Sequence, residues 1–148
     1  MIRTAVLSDI PRLTEIRGAV GENRLSDPSR VTLADYVWHI ERANTPPSDL
    51  ASVPLRRIIG VELNDADSNV VGTLFEDTVH RRRYCGEGAF DLDGIITALR
   101  TAGWTGPWGV EILSVEYRAL PVQEALRRAA DSARNQLKRG SVQPNKQP

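Results

Sequence analysis

A single cysteine, Cys85, occurs in 148 residues, so no disulfide can form within the chain, and the usage fits a reducing compartment. Charge of one sign is also missing. Nineteen basic and nineteen acidic side chains cancel, which gives no footprint for nucleic acid or for an anionic membrane surface. No stretch comes near the roughly 20 apolar residues that cross a bilayer, and residues 1–20 contain no apolar core of the signal-peptide kind. No internal repeat is visible. The expectation is a soluble, cytoplasmic protein with no nucleic-acid and no membrane partner. What is present is enough for one ordinary domain: 41% hydrophobic and 26% charged residues.

The chain changes character near Arg57. Before it, "IRTAV" reads as a short strand and "SDIPRLTEIRGAV" as a helix capped by Ser8, with Ile10, Leu13, Ile16 and Val20 on one face. "ADYVWHIERANT" has two readings. Leu33, Tyr36, Val37 and Ile40 follow helical spacing behind Thr32 as a cap, whereas "YVWHI" alone could be a buried strand. We expect a helix over 32–43. "NTPPSDLASVP" is a Pro-rich connector with at most one helical turn, from Ser48.

After Arg57, "IIGVEL" and "WGVEILS" are apolar strands, and a long polar loop through "RRRYCGEG" follows the first. "DLDGIITALRTAG" is a helix capped by Asp91 and closed by Gly103. "LPVQEALRRAADSARNQLK" is an amphipathic helix that starts at Pro121 and stops at Gly140. "SVQPNKQP" reads as a disordered tail. Apolar strands alternating with amphipathic helices predict an α/β fold with parallel strands covered on both faces. About three such units are available, whereas a closed barrel takes about 250 residues.

The strings "VWHIER", "RIIGVELNDAD", "HRRRYCGEGAFDLDGIITALRTAGWTGPWGVEILS" and "ALPVQEALRRA" resemble the C-terminal part of the xylose-isomerase-like TIM barrels, the sugar phosphate isomerase/epimerase family, over about 37–138. The opening "IRTAVLSDIPRLTEIR…ENRLSDPSRVTLADYVW" is similar to the start of GNAT-type N-acetyltransferases, and the two resemblances meet within "ADYVWHIER". Together they imply a GNAT-like fragment at 1–40, a partial barrel domain at 41–138 and a tail at 139–148. The barrel part would be βα units with about three parallel strands, preceded by a short β-α-α segment.

The barrel resemblance implies a divalent metal (Mn²⁺, Mg²⁺ or Co²⁺) on carboxylates and a histidine at strand ends, with a carboxylate moving a proton between substrate carbons. It makes Glu111 the metal-binding and acid/base glutamate. It sets Glu62 and Asp65 of "VELND" where relatives carry a His-x-x-Asp pair, so Glu62 replaces the histidine. His39 matches a substrate-contacting histidine, although Tyr36 stands where an aspartate ligand would precede it. The helical reading of 32–43 makes His39 a helix-face histidine instead. Arg82 matches an arginine that contacts substrate oxygens, and Arg81 or Arg83 could equally be its equivalent. Gly86 and Gly88 read as turn glycines, Cys85 as inert, and Trp104 and Trp108 as outer-layer packing.

Two absences weigh against a complete enzyme. The barrel family's second essential glutamate, on its fifth strand, has no counterpart. The acetyltransferase-like segment has no Q/R-x-x-G-x-G/A loop with backbone N–H groups aimed at a pyrophosphate, so acetyl-CoA is not an expected cofactor. Three readings compete. One is a sugar isomerase/epimerase-like chain acting on a small sugar or keto-acid, incomplete or inactive alone. Another is an acetyltransferase-like protein. The third is a non-catalytic chimeric or truncated interaction module. An open sheet edge in a chain this short invites covering by a second copy.

Overall fold

The computed structural model describes residues 36–58 and 60–140. Their elements are α1 (Tyr36–Arg42), α2 (Pro47–Leu50), a 3-10 turn (Leu55–Arg57), β1 (Val61–Leu63), α3 (Leu74–His80), α4 (Leu92–Thr101), β2 (Trp108–Val110), α5 (Val115–Arg118) and α6 (Val122–Arg139). β1 and β2 pair in parallel, Val61 with Trp108, Glu62 with Gly109 and Leu63 with Val110. Their separation in sequence, bridged by α4, is what a parallel pair requires.

The parallel α/β expectation therefore holds, with two parallel strands among the described residues, the number expected if the segment from Val37 to Arg42 is helical. The third candidate strand, "YVWHI", is helix α1, as its apolar spacing predicts. The Thr32 cap expected for it lies outside the described residues. So do the strand and helix expected before Val20 and the tail after Gly140. The boundary expected at 40/41 falls inside α1, whose Val37 and Ile40 are buried in the same core as the strands.

Side-chain alternation divides the sheet. Val61 and Leu63 are fully buried and pack with Val37, Ile58 and the apolar stripe of α4. Leu92, Ile95, Ile96 and Leu99 form that stripe at helical spacing. Burial of each such side chain contributes about 1.5–3 kcal/mol. Asp91 caps α4 by accepting the Gly94 N–H at 2.9 Å, and Gly103 ends it at φ +96°, a conformation that favours glycine. Glu62 takes the opposite face, lying over Gly109, where a Cβ would approach its Cγ to 3.4 Å.

The long loop after β1 contains a helix that its polarity conceals. α3 opens with a capping box. The Thr73 side chain accepts the Glu76 N–H at 3.1 Å, and Glu76 accepts the Thr73 N–H at 2.7 Å. Asp77 of α3 is fully buried and ties this helix to α1. It accepts from Trp38 Nε1 at 2.9 Å and from Arg42 Nε at 2.8 Å. Thr73→Ala is expected to cost about 1 kcal/mol and to raise amide exchange within 74–80 first. Unchanged protection there would show that the Asp77 contacts alone hold α3.

The apolar face of α6 is divided. Ala133 and Leu137 pack toward α4, where Arg100 Nη1 also donates to the Leu137 carbonyl at 2.8 Å. Val122 and Leu126 are 67% and 65% exposed. Among the described residues, β2 has no strand on its other side.

Candidate functional site

The extended segment Arg81–Arg83 crosses the C-terminal ends of both strands. Arg83 bridges Asp65 just past β1, with N···O distances of 3.0 and 2.7 Å, and Arg81 bridges Ser114 past β2. Between them the Arg82 N–H donates to the Leu113 carbonyl at 3.0 Å. Successive side chains of an extended segment point to opposite sides. Arg82 accordingly turns inward, while Arg81 and Arg83 both reach Asp67 on the other side.

Arg82 is 2% exposed. It forms an ion pair with the Glu111 carboxylate. It donates from Nη2 to Thr78 Oγ1 at 2.6 Å and from Nε to the same oxygen at 3.1 Å. Its guanidinium lies 5.9 Å from the centre of the Trp38 ring. Glu111 follows β2, and its N–H donates to the Leu63 carbonyl at 3.2 Å, which continues the ladder. Two residues beyond Gly109, its side chain shares the face that carries Glu62. The structure thus brings Arg82 and Glu111 into direct contact, on the sheet face that also carries Glu62.

Asp65 does something else. Its carboxylate, 1% exposed, accepts four backbone N–H groups: Gly86 and Gly88 on one oxygen at 3.0 Å each, Ala66 at 2.9 Å and Phe90 at 3.0 Å on the other. It anchors the 86–90 loop and is not brought to Glu111 as a third ligand. Gly88 is packed so closely on Asp65 and the Ala66 carbonyl that no Cβ fits there, and Gly86 has φ +84°. The turn role expected of both glycines has this cause. His39 is a helix residue packed edge-on against Trp38, ring centres 5.2 Å apart, and is almost fully buried.

These donors do not fit a resident divalent ion. Glu111 is engaged by Arg82 and Asp65 by four amides. Among the described residues no three His, Cys, Asp or Glu side chains converge as a metal site. The Asn64 side-chain oxygen is buried without a partner one residue before Asp65, but a lone amide oxygen does not make up the missing charge.

On the other side of the segment, Asp67 accepts from Arg83 Nε at 2.8 Å and from Arg81 Nη2 at 2.9 Å. The Arg83 hydrogen bond, with a smaller contribution from Arg81, holds its carboxyl below the usual range. Tyr117 of α5 stacks on Tyr84, ring centres 4.0 Å apart, and donates to Glu87 at 2.6 Å. Burial first, then the Glu87 carboxylate, pushes its phenol well up. Burial pushes the Cys85 thiol up to about 12, so almost no thiolate exists at neutral pH. The role of Asp67 was missed in the sequence. An acidic residue beside "RRR" signals little until the chain between them is known to fold back.

No family model matches the chain. Sequence relatives exist nonetheless. An inosose isomerase from Halalkalibacterium halodurans is 29% identical over 118 residues, covering 80% of this chain and 39% of that protein. A 3-dehydroshikimate dehydratase from Pseudomonas aeruginosa is 28% identical over 100 residues, covering 68% and 16%. The chain therefore spans less than two-fifths of the length of either. The first match is longer than everything from Val37 to the C-terminus, so it reaches into the segment likened above to acetyltransferases, and that resemblance finds no support. Among solved structures, an IolI protein with a bound zinc atom superposes with a TM-score of 0.66 at 21% identity, covering 90% of this chain and 45% of that one. A xylose isomerase domain protein from Alicyclobacillus acidocaldarius gives 0.60 at 19%, covering 92% and 44%. The chain has the fold of a part of a xylose-isomerase-like TIM barrel, and its sequence relatives include an inosose isomerase and a 3-dehydroshikimate dehydratase.

Proposed function

We infer that this chain supplies the Glu111 end of a sugar isomerase-, epimerase- or dehydratase-like site, one that abstracts a proton from a carbon next to a carbonyl in a small polyol ketone or keto-acid. The observation that carries this is the Arg82–Glu111 pair at the C-terminal ends of two parallel strands, where barrel enzymes place their chemistry. In the proposed step the Glu111 carboxylate takes the carbon-bound proton, and the electron pair moves onto the carbonyl oxygen as an enolate. Arg82 positions Glu111 and Trp38 flanks Arg82.

Moving the proton on to a second carbon needs a second placed carboxylate and exclusion of water. Glu62 shares the face of Glu111, but on our reading the second carboxylate and the cover come from outside the described residues. A Mn²⁺, Mg²⁺ or Co²⁺ ion would have to draw most of its ligands from elsewhere. A second copy of the chain is the simplest cover for the free side of β2 and for Val122 and Leu126 of α6. No described helix is long and apolar enough to cross a membrane.

The test uses the purified chain in D₂O with a panel of ketoses, inosose and 3-dehydroshikimate, with and without Mn²⁺, after size-exclusion chromatography. Expected are slow deuterium incorporation beside the carbonyl, lost in a folded Glu111→Gln variant, and no isomer or dehydration product. Exchange no faster than in buffer would remove Glu111 from the reaction. Full turnover lost with Glu111 would refute the incompleteness and show that copies assemble the whole site.

A further inference from the structure

Arg81 and Arg83 are two guanidiniums held side by side by one carboxylate. Each offers five N–H groups, and each gives Asp67 only one nitrogen, Nη2 of Arg81 and Nε of Arg83. Both side chains are partly exposed. They border a cavity of about 250 Å³, also lined by Asp67, His80, Glu116 and Tyr117. Arg81 and Arg83 balance the carboxylates of Asp67 and Glu116, and Arg118 beside His80 adds a third guanidinium at this end. His80 adds a donor. Arg118 Nη2 lies 3.1 Å from its Nδ1. Glu116 supplies the opposite need, an acceptor for hydroxyl groups.

We propose that this cavity binds the oxyanion, carboxylate or phosphate, of a small hydroxylated molecule, with Arg81 and Arg83 as its anchors and Asp67 as an internal stand-in that keeps the two guanidiniums parallel. Planar forked donors match either oxyanion. The cavity is built from the segments that follow β1 and β2. The proposal rests on the functional reading above for the hydroxylated skeleton of the ligand. It does not rest on it for the anion, whose anchors are the side chains of Arg81 and Arg83 in a cavity that Arg82 also borders.

The experiment is calorimetric titration of the full chain with inorganic phosphate, D-glycerate and myo-inositol at low salt. Expected is saturable binding of phosphate, glycerate or both, weakened by sodium chloride, with none for myo-inositol. Binding of phosphate alone identifies a phosphate ester as the source, and glycerate alone a carboxylate. Arg81→Gln and Arg83→Gln should each weaken binding at least about tenfold. Asp67→Asn, by removing the stand-in charge, should tighten it about fivefold. Tightening in Asp67→Asn keeps the test decisive if an arginine variant fails to fold. Absence of anion binding, equal binding of myo-inositol, or indifference to all three substitutions would overturn the proposal. None of these results depends on turnover.

Discussion

Asp65→Ala is expected to lose at least about 4 kcal/mol of stability, enough to unfold much of the population. The carboxylate accepts four backbone N–H groups, all between 2.9 and 3.0 Å. A hydrogen bond to a charged group contributes about 1.5–3 kcal/mol, and the alanine would leave those of the four donors that stay buried without an acceptor. The contributions are not additive, so the figure is set well below their sum, yet it is a large part of the roughly 5–15 kcal/mol that holds a domain folded. Asp65→Asn should lose about half as much. One of its two positions would present N–H groups to N–H groups, against either Gly86 and Gly88 or Ala66 and Phe90. Urea denaturation followed by tryptophan fluorescence reads both variants. A wild-type midpoint for Asp65→Ala would show that the 86–90 loop holds itself.

The second large effect is an asymmetry. Glu111→Gln should destabilise by about 3 kcal/mol, because it leaves the charge of a guanidinium that is 2% exposed without its counter-ion. Arg82→Met should cost only about 1–2 kcal/mol. The Glu111 side chain left behind is 32% exposed and can take up water, and methionine refills the space beside Trp38, so the main loss is the hydrogen bond to Thr78. Thermal unfolding of the two variants should therefore rank Glu111→Gln below Arg82→Met by a few degrees. The reverse order would mean that the guanidinium, despite its burial, finds other acceptors.

Much of the architecture was legible in the sequence because it is written in local spacing. The stripe Leu92, Ile95, Ile96, Leu99, the caps Asp91 and Gly103, and the stop at Gly140 need only a few neighbouring residues to be read, and helices were placed accordingly. The helical choice for 36–42 also came from spacing, with Tyr36, Val37 and Ile40 in phase. Helix α3 was readable too. Its T-x-x-E signature at Thr73 and Glu76 was passed over because the loop around it is polar. The site was less legible, for a physical reason. Glu111 and Arg82 could be singled out by resemblance, but which of three consecutive arginines meets Glu111 depends on bridges made on either side, to Asp65 and to Ser114. Nothing within "RRR" encodes that. Asp65 was read as a ligand by resemblance; that it also accepts backbone amides 21–25 residues downstream could not be read, because amides leave no mark in a sequence.

The three arginines differ in duty only by parity of position. Conservative exchange at 81 or 83 keeps the pattern, whereas a codon gained between His80 and Arg81 inverts it. After such an event one guanidinium would turn out over Asp67. Two would turn in toward Trp38 and Thr78, where Glu111 can neutralise only one of them. This short stretch should therefore accept point changes far more readily than changes of length, although it lies at the surface end of the strands, where loops usually vary freely in length.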